Sequence, residues 1–166
     1  LVDGQGDVNR CCALLEEHDV LTVAGNHERW ILAQSMRELP TATPVVNLDQ
    51  RSREFLTALP RTLRLSTPLG EAMLCHGIGE DDMCGVRPGD FGYALETNDA
   101  LTRALARGER LMLNGHTHRR MVRRIDGLTI VNAGTLAHDW DPCFALVDFD
   151  RRRVEFFDVD LAGYVT

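Results

Sequence analysis

Histidine, asparagine and glutamate side chains directly follow three apolar runs of this sequence. Gly25-Asn26-His27-Glu28 follows residues 20–24, His76 follows residues 72–75, and Gly115-His116-Thr117-His118 follows residues 111–113. Such runs predict buried strands of an α/β sheet, and ligands of these sheets gather at the carboxyl ends of the strands. Imidazole nitrogens and amide or carboxylate oxygens suit Mn²⁺, Fe and Zn²⁺. The spacing therefore predicts a polar site that binds metal ions.

Each residue type in this set suggests a role. The neutral amide of Asn26 would leave positive charge on a metal, which favours an anionic substrate such as a phosphate. His27 would point in beside Asn26, and Glu28 would hold its ring in one tautomer. Taken alone, each motif is also compatible with a surface turn, but three strand ends together favour the site. His18 and His138 are left outside it, His18 because a helix C-terminus is stabilised by histidine.

The elements that must position these residues alternate between helix and strand. Helices are predicted from Asp7 to His18, from Glu28 to Arg37, from Asp49 to Ala58, and from Asn98 to Arg107. Hairpins are predicted around residues 68–70, around Asp126-Gly127, and between residues 144–149 and 154–159. Residues 77–95 predict a long irregular segment, which is usually functional in a compact domain. The order indicates a single α/β domain, residues 1–166, with a mixed sheet.

Composition narrows the class of protein. A net charge of −7 over 166 residues argues against general binding to nucleic acid or to an anionic membrane. No apolar run approaches the ~20 residues that a membrane span needs. The five cysteines are odd in number and lack C-x-x-C spacing, which favours reduced, mostly buried thiols and a cytoplasmic location.

With these motifs the chain resembles the calcineurin-like metallophosphoesterases. Gly25 to Glu28, His76, and Gly115 to His118 match three motifs of that family in order. Residues 131–136 resemble the Asn-Pro-Gly-Ser segment of its small bacterial members, and the last hairpin is similar to their usual ending. The resemblance implies a four-layer α/β/β/α sandwich of two mixed sheets, here lacking the first strand–helix unit.

The resemblance also implies an activity and a set of site residues. It implies hydrolysis of a phosphodiester or a small phosphomonoester by a dinuclear centre of Mn²⁺, Fe or Zn²⁺, with a bridging hydroxide as nucleophile. Asn26, His76 and His116 would bind one metal and His118 the other. His27 and Glu28 would be catalytic, with His27 protonating the leaving oxygen and Glu28 orienting His27. The implied partner is a small phosphate-ester substrate, with no role for nucleic acid or membrane.

Departures from the family pattern lead to two further expectations. Leu1-Val2-Asp3-Gly4 resembles the tail of the family's Gly-Asp-x-x-Asp motif, and the family's Asp-x-His motif has no counterpart. We therefore expect an N-terminally truncated sequence, inactive as it stands, whose intact form is the hydrolase. The alternative is a non-catalytic relative, a binding protein with a decayed metal site. Gly4 and Ala24 stand where the family's protein phosphatases carry arginine, which favours the small bacterial type.

Overall fold

The computed structural model describes residues 1–160 and 164–166, which divide into two compact units, Leu1–Arg61 and Thr62–Thr166. The first unit contains α1 (Val8–Glu17), α2 (Asn26–Leu32), a short 3₁₀ helix (Val45–Asn47) and α3 (Gln50–Ala58). Its apolar cluster consists of Val2, Val8, Cys12, Ile31, Leu48 and Leu56. Each of these side chains is at most 8% exposed, so burial of apolar area stabilises this unit.

In the first unit, two predicted helix starts are confirmed and one predicted helix end is wrong. The carboxylate of Asp7 accepts a hydrogen bond from the N–H of Arg10 at 3.0 Å, which confirms the predicted start of α1. Asp49 caps α3 in the same way. The predicted extension of α2 to Arg37 is wrong, because α2 ends at Leu32 and the chain turns through Gln34 at a φ of 51°. That turn redirects the segment that carries Arg37.

Residues 20–24 do not form the buried strand that the sequence predicts. Val20 and Leu21 are 47% and 62% exposed, and the N–H of Ala24 donates to the carbonyl of Pro60 at 2.8 Å. No strand among the described residues pairs with this segment. A β-branched run becomes a strand only where a partner supplies the other half of the ladder, so propensity alone does not decide it. The prediction of this strand is wrong for the described structure.

The second unit is built on a five-stranded sheet in the order β1-β2-β3-β5-β4. Its strands are β1 (Thr62–Thr67), β2 (Gly70–Cys75), β3 (Leu111–Asn114), β4 (Met121–Ile125) and β5 (Leu128–Asn132). The neighbours β2, β3 and β5 run parallel, while β1 and β4 pair antiparallel at the two edges. Parallel pairing brings the carboxyl ends of the three central strands to one edge of the sheet.

The second unit also contains an antiparallel sheet of two strands, β6 (Cys143–Asp148) and β7 (Arg153–Asp158). Two helices, α4 (Tyr93–Glu96) and α5 (Asp99–Ala106), lie between β2 and β3 in sequence. The hairpin at Asp126-Gly127 has φ values of 46° and 90°, as a type I′ turn requires, which confirms its prediction. The mixed α/β fold with two sheets is thus the predicted one. None of the helices in the described residues has the length and apolarity of a membrane span.

The core of the second unit lies between the five-stranded sheet and α5. The predicted cap of α5 is confirmed, since Asn98 accepts a hydrogen bond from the N–H of Leu101 at 2.9 Å. The core residues are Met73, Cys75, Ile78, Val86, Ala100, Leu101, Ala104, Met112, Met121, Ile125, Leu128 and Ile130. Burial raises the pKa of Cys75 to about 11, so this thiol stays protonated at neutral pH and packs as a small apolar side chain.

Candidate active site

The carboxyl ends of β2, β3 and β5 are hydrogen-bonded to one another beyond the last paired residues. The N–H of Gly115 donates to the carbonyl of His76 at 3.0 Å, and the N–H of Ala133 donates to the carbonyl of Asn114 at 3.1 Å. The structure therefore brings His76 and the segment that follows β3, Gly115 to His118, to the same edge of the sheet.

His76 and His116 face each other at this edge. The Nε2 atom of His76 lies 3.3 Å from the Nδ1 atom of His116, and the ring centroids are 5.2 Å apart. Two nitrogens bound to one tetrahedral cation at about 2.0–2.1 Å lie about 3.3 Å apart, so the pair has the spacing of two ligands of one ion. Among the described residues, no three His, Cys, Asp or Glu side chains are grouped to hold a metal.

The turn that carries His116 and His118 has an unusual backbone. Both residues are in the left-handed region, with φ values of 61° and 56°. Residues other than glycine rarely adopt this conformation. The ring of His118 meets the indole of Trp140 edge-on, with centroids 5.4 Å apart and an interplanar angle of 87°. Such outliers concentrate at functional sites, where the surrounding structure holds them in place.

Asn132, at the end of β5, connects the histidine turn to the loop at residues 133–142. Its side chain is buried and donates to the carbonyl of Gly115 and, at 3.2 Å, to the hydroxyl of Thr117. Its side-chain oxygen accepts a hydrogen bond from the N–H of Gly134 at 3.0 Å. Because these bonds are shielded from water, Asn132 fixes the loop against the histidine turn.

Asn114 makes a comparable connection between β3 and the segment after β2. Its amide nitrogen donates to the carbonyl of Gly77 at 2.8 Å. Its side-chain oxygen is buried and has no protein partner among the described residues. A buried amide oxygen without a protein partner, two residues before His116, is a position for an ordered water. Imidazole nitrogens are the candidate metal donors at this edge, and they suit divalent transition metals.

A cleft of about 480 Å³ opens next to the histidine turn. It is lined by Met83, Gly85, Arg87, Asp90, His116, Thr117, His118 and Trp140. Small-molecule sites have volumes of roughly 300–1,000 Å³, so this cleft has room for more than a phosphate group. The two histidines of the turn are the side chains in its wall that can bind a metal through nitrogen.

In the first unit, His27 lies in the first turn of α2 and pairs with Asp3. The Nδ1 atom of His27 is 2.8 Å from Oδ2 of Asp3, and the ring packs against Trp30 with centroids 4.8 Å apart. An ionised carboxylate can only accept a hydrogen bond, so Nδ1 carries the hydrogen. The Nε2 atom is then the ring nitrogen that carries no hydrogen in this tautomer.

Asp3 is held by more groups than His27 alone. Its side chain is fully buried and accepts two hydrogen bonds from Arg37 and one from the N–H of Thr43, each at 2.8 Å. Burial by itself would raise the pKa of Asp3, but the hydrogen bonds from Arg37, His27 and Thr43 hold it below its usual value. Asp3 is therefore a carboxylate at neutral pH.

Glu28 does not have the role that the sequence analysis gives it. Its Oε2 atom accepts a hydrogen bond from the N–H of Gly25 at 2.9 Å, and its Oε1 atom accepts one from the N–H of Val2 at 3.4 Å. A glutamate at the third position of a helix reaches back to cap the helix start, which draws it away from the side chain one position earlier. In the described structure Glu28 caps α2 and the carboxylate that hydrogen-bonds His27 is that of Asp3, so the predicted contact between Glu28 and His27 is not formed.

The candidate residues thus fall into two groups, each within its own unit. Asn26, which is buried as the first residue of α2, lies in the first unit with His27 and Glu28. His76, His116 and His118 lie in the second. Sequence reasoning missed Asp3 as the partner of His27, although its place in the tail of the Gly-Asp-x-x-Asp motif was a usable signal. It also missed Arg37 and Asn114, which no local pattern marks, and Asn132, for which the resemblance of residues 131–136 to a family segment was a usable signal.

Gly77 gives a direct test of how tightly this edge is built. A Cβ atom at Gly77 would overlap the carbonyl oxygens of Asp81 and Cys84, which are backbone atoms and cannot swing aside. We expect Gly77→Ala to lower the free energy of unfolding by about 1–3 kcal/mol, measured by urea denaturation. Gly89→Ala is the matched control, because nothing lies within 4 Å of its Cβ position. Equal stability of the two variants would contradict the packing described for this edge.

Comparison with solved structures defines the class of fold. A hypothetical protein from Pyrococcus horikoshii OT3 matches with a TM-score of 0.67 and 18% identity, over 91% of this chain and 67% of that one. A metallophosphoesterase from Sphaerobacter thermophilus matches with a TM-score of 0.62 and 20% identity, over 92% of this chain and 71% of that one. The fold is that of the metallophosphoesterases.

Sequence comparison then gives the family. The profile of the calcineurin-like phosphoesterase superfamily domain matches residues 3–152. The chain belongs to the calcineurin-like phosphoesterase superfamily, whose members are in general metal-dependent phosphoesterases. No curated protein matches the sequence. The resemblance noted in the motifs is therefore confirmed at the level of the superfamily.

Proposed function

We propose that this protein hydrolyses phosphate esters, either a phosphodiester or a small phosphomonoester, with two divalent metal ions. The observation that carries the proposal is the pair of imidazole nitrogens 3.3 Å apart at the strand ends of a calcineurin-like phosphoesterase domain. A neutral donor set of this kind leaves positive charge on a bound cation, which favours an anionic substrate. Bound cations would supply a nucleophile from water at neutral pH and would neutralise phosphoryl charge.

The ligands we assign from the structure are the histidines of the second unit. We assign His76 and His116 to one ion and His118 to the other, with Mn²⁺, Fe or Zn²⁺ as the metal and imidazole nitrogen as the donor. Asn26, whose amide is buried in the first unit, stays a ligand that the family motif implies. Glu28 is left out of the reacting groups, because its carboxylate caps α2.

His27 is the group that we assign to proton transfer. Asp3 holds its Nδ1–H, so the ring presents Nε2 in a fixed tautomer. In the imidazolium form Nε2 donates a proton to the leaving oxygen as the ester bond breaks, and the neutral ring is left hydrogen-bonded to Asp3. Arg37 and Thr43 keep Asp3 in place without taking part in the reaction themselves.

Metal binding and hydrolysis are tested with the protein expressed from its complete coding sequence. We expect hydrolysis of p-nitrophenyl phosphate or its bis ester with Mn²⁺, loss of activity in EDTA, and recovery when Mn²⁺ is restored. We expect His116→Ala to weaken Mn²⁺ binding, measured by calorimetry, by at least about a hundredfold, because it removes a direct ligand where loss of an indirect one already costs about 10–100-fold. His18→Ala, which changes an exposed histidine at the end of α1, is the control.

The outcomes separate the enzyme from the alternative of a non-catalytic relative. Full activity in EDTA, or unchanged Mn²⁺ binding in His116→Ala, would contradict the proposal. Mn²⁺ binding without hydrolysis of either ester would favour a metal-binding protein that has lost the reaction.

A further inference from the structure

The cleft beside the histidine turn contains an aromatic side chain that the proposed chemistry does not use. Trp140 lies in its wall together with His116 and His118. Its side chain is 46% exposed, although a tryptophan of a folded domain is usually well buried. An exposed indole in a cleft next to candidate metal-binding residues is better explained by contact with a bound substrate than by packing within the fold.

Two side chains contact the ring of Trp140, and its backbone is held within the 133–142 loop. The guanidinium of Arg119 lies 5.3 Å from the centroid of the ring, and the ring of His118 meets it edge-on at 5.4 Å. The backbone N–H of Trp140 donates to the carbonyl of Ala137 at 3.1 Å. A rigid aromatic surface binds a flat partner with little loss of side-chain freedom, which favours stacking.

The loop that carries Trp140 is joined to the histidine turn by Asn132. Asn132 donates to Gly115 and Thr117 of the turn and accepts from Gly134 of the loop. The turn and the start of the loop therefore belong to one hydrogen-bonded assembly within the second unit, and the rings of His118 and Trp140 are in contact. A substrate whose phosphate is bound at the histidines has its organic part within reach of Trp140.

We propose that the cleft binds the planar aromatic group of an ester substrate by stacking on Trp140. The inference rests on the proposed function, since it places the phosphate of that ester at His116 and His118. The cleft, with a volume of about 480 Å³, accommodates a ring system beside the phosphate. Half-exposed Met83 lines the same cleft and adds a polarisable, adaptable surface for such a ring. Both a simple aryl group and a nucleobase have this chemistry.

The test uses ligands that the enzyme cannot cleave. Phenylphosphonate and cyclohexylphosphonate have a carbon–phosphorus bond in place of the ester and differ in whether the ring is aromatic. With Mn²⁺ present, we expect calorimetry to show phenylphosphonate binding about tenfold more tightly, and Trp140→Leu to remove that preference. Trp140→Phe should retain most of it. Tyr93→Leu, which removes an exposed aromatic ring outside the cleft, should leave the preference unchanged.

Equal binding of the two phosphonates to the unaltered protein, or an unchanged preference in Trp140→Leu, would overturn the inference. Because neither ligand is hydrolysed, these outcomes do not depend on activity. Hydrolysis without an aromatic preference would refute the role of Trp140 alone, whereas a preference without hydrolysis would refute the proposed reaction.

Adefovir, a phosphonate that carries adenine, distinguishes the source of the ring. Tighter binding than phenylphosphonate assigns a nucleobase, and weaker binding assigns a small aryl group.

Discussion

Replacing His27 with alanine is expected to lower kcat by about a hundredfold to ten-thousandfold for a substrate whose leaving oxygen must be protonated. The reason is the hydrogen bond from Nδ1 of His27 to the buried carboxylate of Asp3, which leaves Nε2 to deliver the proton. Phenyl phosphate is a suitable substrate, because phenolate is as basic as a tyrosine side chain, whose pKa is about 10. Steady-state kinetics with Mn²⁺ measures the effect.

A second leaving group makes this prediction specific to proton transfer. The p-nitrophenolate ion is stable without a proton, so His27→Ala should lose much less activity on p-nitrophenyl phosphate than on phenyl phosphate. An equal loss on both substrates would show that His27 has another role. No loss on either would remove it from the reaction. His18→Ala again serves as the control, since it alters a histidine outside the candidate site.

The second large effect is expected at Asp3, whose replacement by alanine leaves a guanidinium without its partner. Arg37 is only 19% exposed and makes two hydrogen bonds with Asp3 at 2.8 Å. Removing one member of a buried ion pair costs about 3–5 kcal/mol, because the remaining charge stays in a poorly solvated position. We expect a loss of this size in the free energy of unfolding of Asp3→Ala, measured with urea. Glu38→Gln, which neutralises an exposed acid next to Arg37 in sequence, should change it little.

The same carboxylate gives a prediction for the effect of pH on stability. The pKa of Asp3 in the folded chain is below its value in the unfolded chain, so its contribution is complete above the usual pKa of 3.8 and is lost as the pH falls through the lower, folded value. Asp3→Asn should therefore lose less stability than the unaltered protein between about pH 5 and pH 2. Parallel curves for the two proteins in that interval would contradict the hydrogen bonding described for Asp3.

Pairing Asp3→Asn with Arg37→Met makes the origin of the effect testable. Once Asp3 is neutral, Arg37 is the buried charge that destabilises the fold, and methionine fills similar space without a charge. The double variant should be more stable than Asp3→Asn alone. A double variant that is less stable by the sum of the two single effects would show that Arg37 and Asp3 act independently.

Local signals in the sequence predicted most of the elements of this chain. The caps at Asp7, Asp49 and Asn98 and the turn at Asp126-Gly127 depend on a few neighbouring residues, and the structure has all of them where they are predicted. The predicted strand at residues 20–24 is wrong because a strand depends on residues that are distant in sequence. Its formation depends on a partner strand, and no pattern within five residues reports whether a partner is in reach.

The candidate site shows the same division between local and long-range information. The motifs gave the histidines at the strand ends, because a strand followed by polar residues is a local pattern. The partner of His27 lies 24 residues away in sequence and that of Asp3 34 residues away, so no window along the chain contains both members. Trp140 became visible as part of the site only once the loop at residues 133–142 had been placed.

The left-handed backbone at His116 and His118 has a consequence for how this turn would respond to selection. Each such residue costs roughly 1–3 kcal/mol relative to an unstrained one, and glycine would avoid most of that cost. Selection for thermal resistance alone would therefore favour glycine at these two φ values, against the contacts that the imidazoles make with His76 and Trp140. Two costly residues, separated only by Thr117 in one short turn, are instead what a trade of stability for function predicts.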